Sequence, residues 1–185
     1  PNLILKPDFI SKKNLINKNY NNFVIGCLSR FDKILNHMEC DEFVKYFNSQ
    51  SYYDDNQVKN SKILHNWPMA MELCIKLTKQ IEDKTELLLI PHQGWIRKYT
   101  KGNILKKHRD GRADYALSIA LDTSDSTLNP LLLYYDDIPT EVNLEKGDGY
   151  FFEGSVIQHE RKEIKSDYIY GLYLGYLKRP PTMLI

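Results

Sequence analysis

The chain has 185 residues, 42% of them hydrophobic and 26% charged, with a formal net charge of +1. That length is most simply one domain able to bury a substantial core, and so even a charge balance gives no general electrostatic argument for a nucleic-acid partner. The basic clusters KKNLINK, KNSK and LKKHR are short and read as solvated faces. No apolar run approaches the roughly 20 residues of a membrane span, and no signal peptide is visible. Cys27, Cys40 and Cys74 are odd in number, lie in or beside apolar runs and lack CxxC spacing. They suit reduced thiols in a cytoplasmic setting better than disulfides or a structural zinc site.

Residues 1–30 set short apolar groups (LIL, FVIGCL) around the polar segment KKNLINKNYNN. They read as one or two short strands or turns about a loop. From Ser29 to Asn48 the residues Phe31, Ile34, Leu35, Met38, Phe43, Val44 and Phe47 recur at helical spacing. The stripe fits one helix or two short ones, with Asp41 as N-cap of a second helix through Phe47. Residues 48–61 carry no period and form a polar loop with paired tyrosines, either plain surface or a lid over a site. Pro68 opens a stronger helix whose apolar stripe is Met69, Ala70, Leu73, Cys74, Leu77 and Ile81.

After Asp83 the pattern changes. ELLLI, GWIRKYT, ADYALSIALD, PLLLYYDD, EVNL, DGYFF, SVIQHERKEI and YIYGLYLGYL read as strands punctuated by Gly, Pro, Asn and Asp. Helices first and strands afterwards indicate an α+β fold, with helices buttressing a largely antiparallel sheet or sandwich. The whole chain, 1–185, is read as a single domain: a mainly helical buttress with loops over 1–84, and a β core with the chemistry over 85–185.

Within that core stands His108-Arg109-Asp110, and far downstream His159. A period of two puts both side chains of an H-x-D pair on one side of a strand end, and a distant strand can supply a third ligand. Two histidines and one carboxylate, split as a close pair and a distant third, are the ligand set of a non-haem Fe(II) facial triad with open positions. Taken alone, H-x-D is weak, and KKHRD reads equally as an exposed basic loop.

More than the pair matches. Tyr99-x-x-Gly102-x-x-Leu105-x-x-His108-x-Asp110, the strand closing in SIALD, and Gly147-Asp148-Gly149-Tyr150-Phe151-Phe152 followed by His159-Glu160 together resemble the Fe(II)/2-oxoglutarate-dependent oxygenases. The likeness is to their prolyl-4-hydroxylase-like branch in particular, and it covers about residues 90–177. It implies a double-stranded β-helix, or jelly roll, buttressed by the N-terminal helices. It further implies Fe(II) held by His108, Asp110 and His159, with 2-oxoglutarate as cosubstrate, Tyr99 lining its pocket, and O2 as oxidant. The implied reaction is hydroxylation of a C–H bond with release of succinate and CO2.

One departure stands out. The family's basic anchor for the far carboxylate of 2-oxoglutarate, nine to eleven positions after the distal histidine, falls here on Tyr168, Ile169 and Tyr170. A buried dicarboxylate still requires a cation. Strand parity offers Arg161, two after His159, and then Arg97, two before Tyr99; arginine can grip a carboxylate in a bidentate fork. By the same resemblance Ala116, Ser118 and Ala120 are expected to form the inward row of the strand after Asp110, while His37, His65 and His92 lack partners at ligand spacing. The substrate is a peptide or a small molecule. Two other functions remain open: a cupin-like metalloenzyme without an oxoacid, and a non-enzymatic jelly-roll binding module. The oligomeric state leaves no mark in the sequence.

Overall fold

In the computed structural model, which describes residues 28–65 and 67–180, two antiparallel sheets are stacked and two helices lie against the outer face of the larger one. In chain order the elements are β1 (Leu28–Phe31), α1 (His37–Ser49), β2 (Tyr53–Asp54), β3 (Lys62–His65), α2 (Pro68–Thr85), β4 (Leu89–Thr100) and β5 (Leu105–His108). β6 (Tyr115–Thr123), β7 (Leu131–Tyr135), β8 (Ile138–Val142), β9 (Gly149–Phe152), β10 (Gln158–Arg161) and β11 (Tyr168–Lys178) complete it. Seven strands form one sheet in the order β1-β9-β6-β11-β4-β3-β2, and four form the other in the order β5-β10-β7-β8. This is the expected jelly roll. The strand-and-loop reading of residues 1–27, and Cys27 with it, lies outside the described residues.

The helices follow from local chemistry, with one correction. Helix α1 is a single helix capped by Asn36, whose Oδ1 accepts from the Glu39 N–H (3.0 Å) while the Glu39 carboxylate accepts from the Asn36 N–H (2.9 Å). This reciprocal box satisfies two donors that the first helical turn leaves unpaired. Asp41 therefore sits inside the helix and caps nothing. Leu28–Phe31 is strand, paired with β9, although Phe31 fits the helical stripe. A three-to-four residue spacing over so short a window cannot separate a strand-and-turn from a helix. In α2, Pro68 occupies the first turn, where its missing N–H costs nothing. Ala70, Leu73, Cys74, Leu77 and Ile81 are buried as expected.

Period-two alternation sorts the large sheet into two cores. Tyr115, Leu117, Ile119 and Leu121 of β6, Phe151 of β9, and Tyr170, Leu172, Leu174 and Tyr176 of β11 pack with the helices. Their sequence neighbours Ala116, Tyr150 and Phe152 meet Leu131, Leu133 and Val142 of the small sheet, and Ile169 and Tyr173 meet Tyr99 and Leu105. The second pair of clusters is the barrel interior, and the candidate site opens at one end of it. ELLLI and GWIRKYT, read as two strands, are one strand, β4, and its partner β11 shifts register once, between Gly175 and Tyr176.

The loop 48–61 is not plain surface. β2 and β3 form a hairpin that extends the large sheet beyond β4. Residues between them fold back through Asp55, which accepts from the Gln57 N–H (2.7 Å) and the Ser61 hydroxyl (3.1 Å). No helix is long and apolar enough to cross a membrane among the described residues.

Candidate metal centre

Strands β5 and β10 are antiparallel neighbours, and their register sets His108 directly opposite His159. Their rings lie 4.2 Å apart. Each histidine places Nδ1 against a backbone carbonyl two residues earlier: His108 on Lys106 (2.8 Å) and His159 on Ile157 (3.1 Å). A carbonyl only accepts, so Nδ1 carries the proton in both rings and Nε2 presents its lone pair. Both Nε2 atoms point at Asp110 Oδ1, from 3.8 Å for His108 and 3.7 Å for His159. These separations are too long for hydrogen bonds, but one ligand atom from each of the three residues lies within 4.8 Å of the others. Three donors that converge without bonding each other fit a shared cation. Burial pushes the His159 imidazole below its ordinary value, against the pull of Asp110, which keeps it in the neutral, ligating form.

The pocket beside these residues is lined by Leu105, Ala116, Ser118, Leu131, Phe152 and Tyr173 together with Arg97 and Arg161, and holds about 440 Å³ of empty space including its open mouth. Ala116 and Ser118 thus stand where the sequence put them; Ala120 does not line this pocket but a separate recess that shares Arg161 with it.

The two arginines differ sharply. Arg97 is fully engaged: Nε donates to Asp55 (2.5 Å), Nη1 to the Tyr99 hydroxyl (3.1 Å) and Nη2 to the Gln57 side-chain oxygen (2.7 Å). Arg161, equally buried, donates from Nη1 to the Asn129 carbonyl (2.6 Å), while its Nε is buried with no partner. A buried cationic donor left unpaired costs roughly 1–3 kcal/mol or more, which an incoming carboxylate would recover.

β11 itself offers no cation here. Ile169 and Gly171 face the interior, and a side chain on Gly171 would meet the Tyr173 hydroxyl at 2.5 Å. That hydroxyl lies 3.3 Å from the hydroxyl of Tyr99. Tyr99 is wholly buried and lies behind the residues that line the pocket rather than among them: its hydroxyl accepts from Arg97 (3.1 Å), and its ring centre is 6.0 Å from the Arg161 guanidinium carbon.

Outward from Asp110 runs a wider, polar groove between the β2–β3 hairpin and residues 110–112. Tyr53, His65, Gln93 and Arg112 line it, and it shares Gln57, Trp95, Arg97 and Asp110 with the inner pocket. His65 therefore lies on the groove, apart from the cluster of His108, Asp110 and His159; His37 begins α1 and His92 is exposed on β4. Asp55, Gln57, Trp95 and Tyr173 went unrecognised in the sequence. Trp95 and Tyr173 were recoverable by parity with Arg97 and Ile169, whereas Asp55 and Gln57 sit in an aperiodic loop that carries no such signal.

No family model and no curated protein sequence matches the chain. Solved structures do share its fold. The viral collagen prolyl hydroxylase of Paramecium bursaria chlorella virus-1, in its 2OG complex, aligns with a TM-score of 0.65 at 14% identity, covering 80% of this chain and 94% of that one. A prolyl-4-hydroxylase from Pseudomonas putida gives 0.65 at 12%, covering 83% and 93%. HygX from Streptomyces hygroscopicus, with nickel, 2-oxoglutarate and hygromycin B bound, gives 0.66 at 12%, covering 82% of each chain. These likenesses establish the fold as the double-stranded β-helix found in 2OG-Fe(II) oxygenases.

Proposed function

We propose that this protein is an Fe(II)- and 2-oxoglutarate-dependent oxygenase that oxidises a C–H bond of a peptide or small organic substrate. The observation that carries the reading is a single pocket holding both the convergent His108, Asp110 and His159 donors and a buried arginine with an unpaired Nε. Iron and 2-oxoglutarate bound there would supply O2 activation coupled to conversion of the oxoacid to succinate and CO2. The chain's own part is to hold and orient. His108, Asp110 and His159 would keep the metal on one face, leaving the others open. Arg161 would take the far carboxylate of the oxoacid, with Tyr99 and Tyr173 packed around it. Arg97 holds the loop 55–61 as a wall through Asp55 and Gln57, and so shields the pocket from water.

The substrate would reach the site along the outer groove, which opens onto Asp110. Peptidyl-proline hydroxylation is the nearest analogy, drawn from the two prolyl hydroxylases of like fold, while HygX carries a small molecule. Cys40 and Cys74, free and buried, support a cytoplasmic setting.

Anaerobic Fe(II) titration with and without 2-oxoglutarate tests the reading. A weak visible charge-transfer band should appear only when both are present and vanish in Asp110→Ala. Iron binding without the band would favour a cupin-like site with no oxoacid. An absence of iron binding would leave a jelly-roll binding module.

A further inference from the structure

We infer that Gly154, in the turn between β9 and β10, is a positioning residue for Asp110: its lack of a side chain is what lets the carboxylate stand between the two histidines. The inference rests on the metal reading above and adds a residue outside the ligand set. A Cβ built on Gly154 would lie 2.1 Å from Asp110 Oδ2, 3.0 Å from Cγ and 3.3 Å from Cβ, and these are its three nearest atoms. Non-bonded carbon and oxygen do not approach so closely. The backbone gives no other reason for a glycine, since the positive-φ glycines among the described residues are Gly102 and Gly147. All three of those atoms belong to Asp110, with the carboxylate oxygen by far the nearest.

The same turn fixes the loop from behind. The Asp110 N–H donates to the Gly154 carbonyl (2.8 Å), and Ser155 donates from both its N–H (3.3 Å) and its hydroxyl (3.2 Å) to the Asp114 carbonyl. Arg109 Nε donates to the Val156 carbonyl (2.8 Å). The turn is itself closed by the Val156 and Ile157 N–H groups on the Glu153 carbonyl. Two backbone bonds and two from the Arg109 and Ser155 side chains therefore tie both ends of the segment 109–114 to the turn, which opposes relief of the clash at Gly154 by moving the loop as a whole. The carboxylate has to swing away from the histidines instead.

Partners that orient a ligand typically change metal affinity by about 10–100-fold when disturbed. Gly154→Ala should therefore weaken Ni(II) binding, read by calorimetry on the full chain, by at least about tenfold. Lys45→Ala, exposed on α1, is the control; it should bind Ni(II) as the wild type does. The double variant Asp110→Ala/Gly154→Ala separates aiming from general damage. With the carboxylate gone, the alanine at 154 should cost almost no thermal stability relative to Asp110→Ala alone. Equal Ni(II) affinity in Gly154→Ala and wild type would overturn the inference, as would an equal loss of melting temperature from Gly154→Ala with and without the Asp110 carboxylate. If wild type itself binds no metal, the functional reading fails, and the melting cycle still decides whether Gly154 governs Asp110.

Discussion

The large sheet shows the helices one face and the barrel interior the other, and the two are satisfied to different degrees. Toward the helices, β6 and β11 present an unbroken apolar row, Tyr115 to Leu121 and Tyr170 to Tyr176 at alternate positions, closed by Cys40, Phe47, Leu73 and Leu77. The polar group on Tyr176 is paired there, its hydroxyl donating to the Cys74 carbonyl (3.1 Å). Toward the interior, the same strands carry Ser118, Gly171 and Tyr173, and across from them stand Arg161 with a spare donor and three ligand side chains that do not bond one another. The helix side leaves one buried donor over, the neutral indole Nε1 of Trp67. A face that leaves a cation and three lone pairs aimed at one space is made to receive something.

Four substitutions would sharpen or break that contrast. The largest effect belongs to the helix-side face: Leu117→Ala, at a fully buried position, should cost about 2–5 kcal/mol of stability. Metal affinity per folded molecule should not change. A smaller loss by denaturant unfolding, or a shifted metal affinity, would mean that the two faces are mechanically coupled.

Next in size is Arg161→Ala. If Arg161 grips the oxoacid, the half-saturating 2-oxoglutarate concentration in the iron titration should rise about 10–150-fold, the worth of a charged hydrogen bond of about 1.5–3 kcal/mol. Stability without ligand should hold or improve, because an unpaired buried donor is removed. Arg97→Ala is expected to do the reverse, lowering the melting temperature by leaving Asp55 buried without its cation. A matched response from both arginines would erase the distinction drawn between them.

The smallest effect concerns Asp148, buried at the edge where β1 meets β9. Burial works to raise its pKa, but the Lys33 and Glu145 N–H groups and the charges of Lys33 and Arg30 outweigh it and hold the carboxyl below its ordinary value. A depressed carboxyl stabilises the fold above its unfolded pKa of about 3.9 and loses that contribution as pH falls through the folded value. Asp148→Asn should accordingly lower stability at neutral pH by about 1 kcal/mol or somewhat more and flatten the acid limb of the stability–pH curve. An acid limb of unchanged steepness would show that other carboxylates govern it.

Reading the site from the chain succeeded where periodicity is strict. Arg97 and Tyr99 on β4 and the pair His159, Arg161 on β10 face the interior because a strand alternates, whatever lies around it. Periodicity could not rank Arg161 above Arg97 on any physical ground. That ranking follows from which donors are already taken, and Arg97 is taken by Asp55 and Gln57, some forty positions away in a loop with no pattern. Gly154 was likewise only punctuation between two strands, because the atom that forbids a side chain there belongs to Asp110, 44 positions earlier.

The sequence by itself determined the two helices, the strand-rich second half, and the residue types able to hold a metal, because each depends on local spacing and side-chain chemistry. Tertiary structure alone decided that His108 stands opposite His159 in register, that Arg161 keeps a free donor while Arg97 does not, and that Asp110 can be aimed past Gly154. Those are matters of sub-ångström distance between segments far apart in the chain, and antiparallel pairing across a closed barrel brings them together only once the whole sheet has formed.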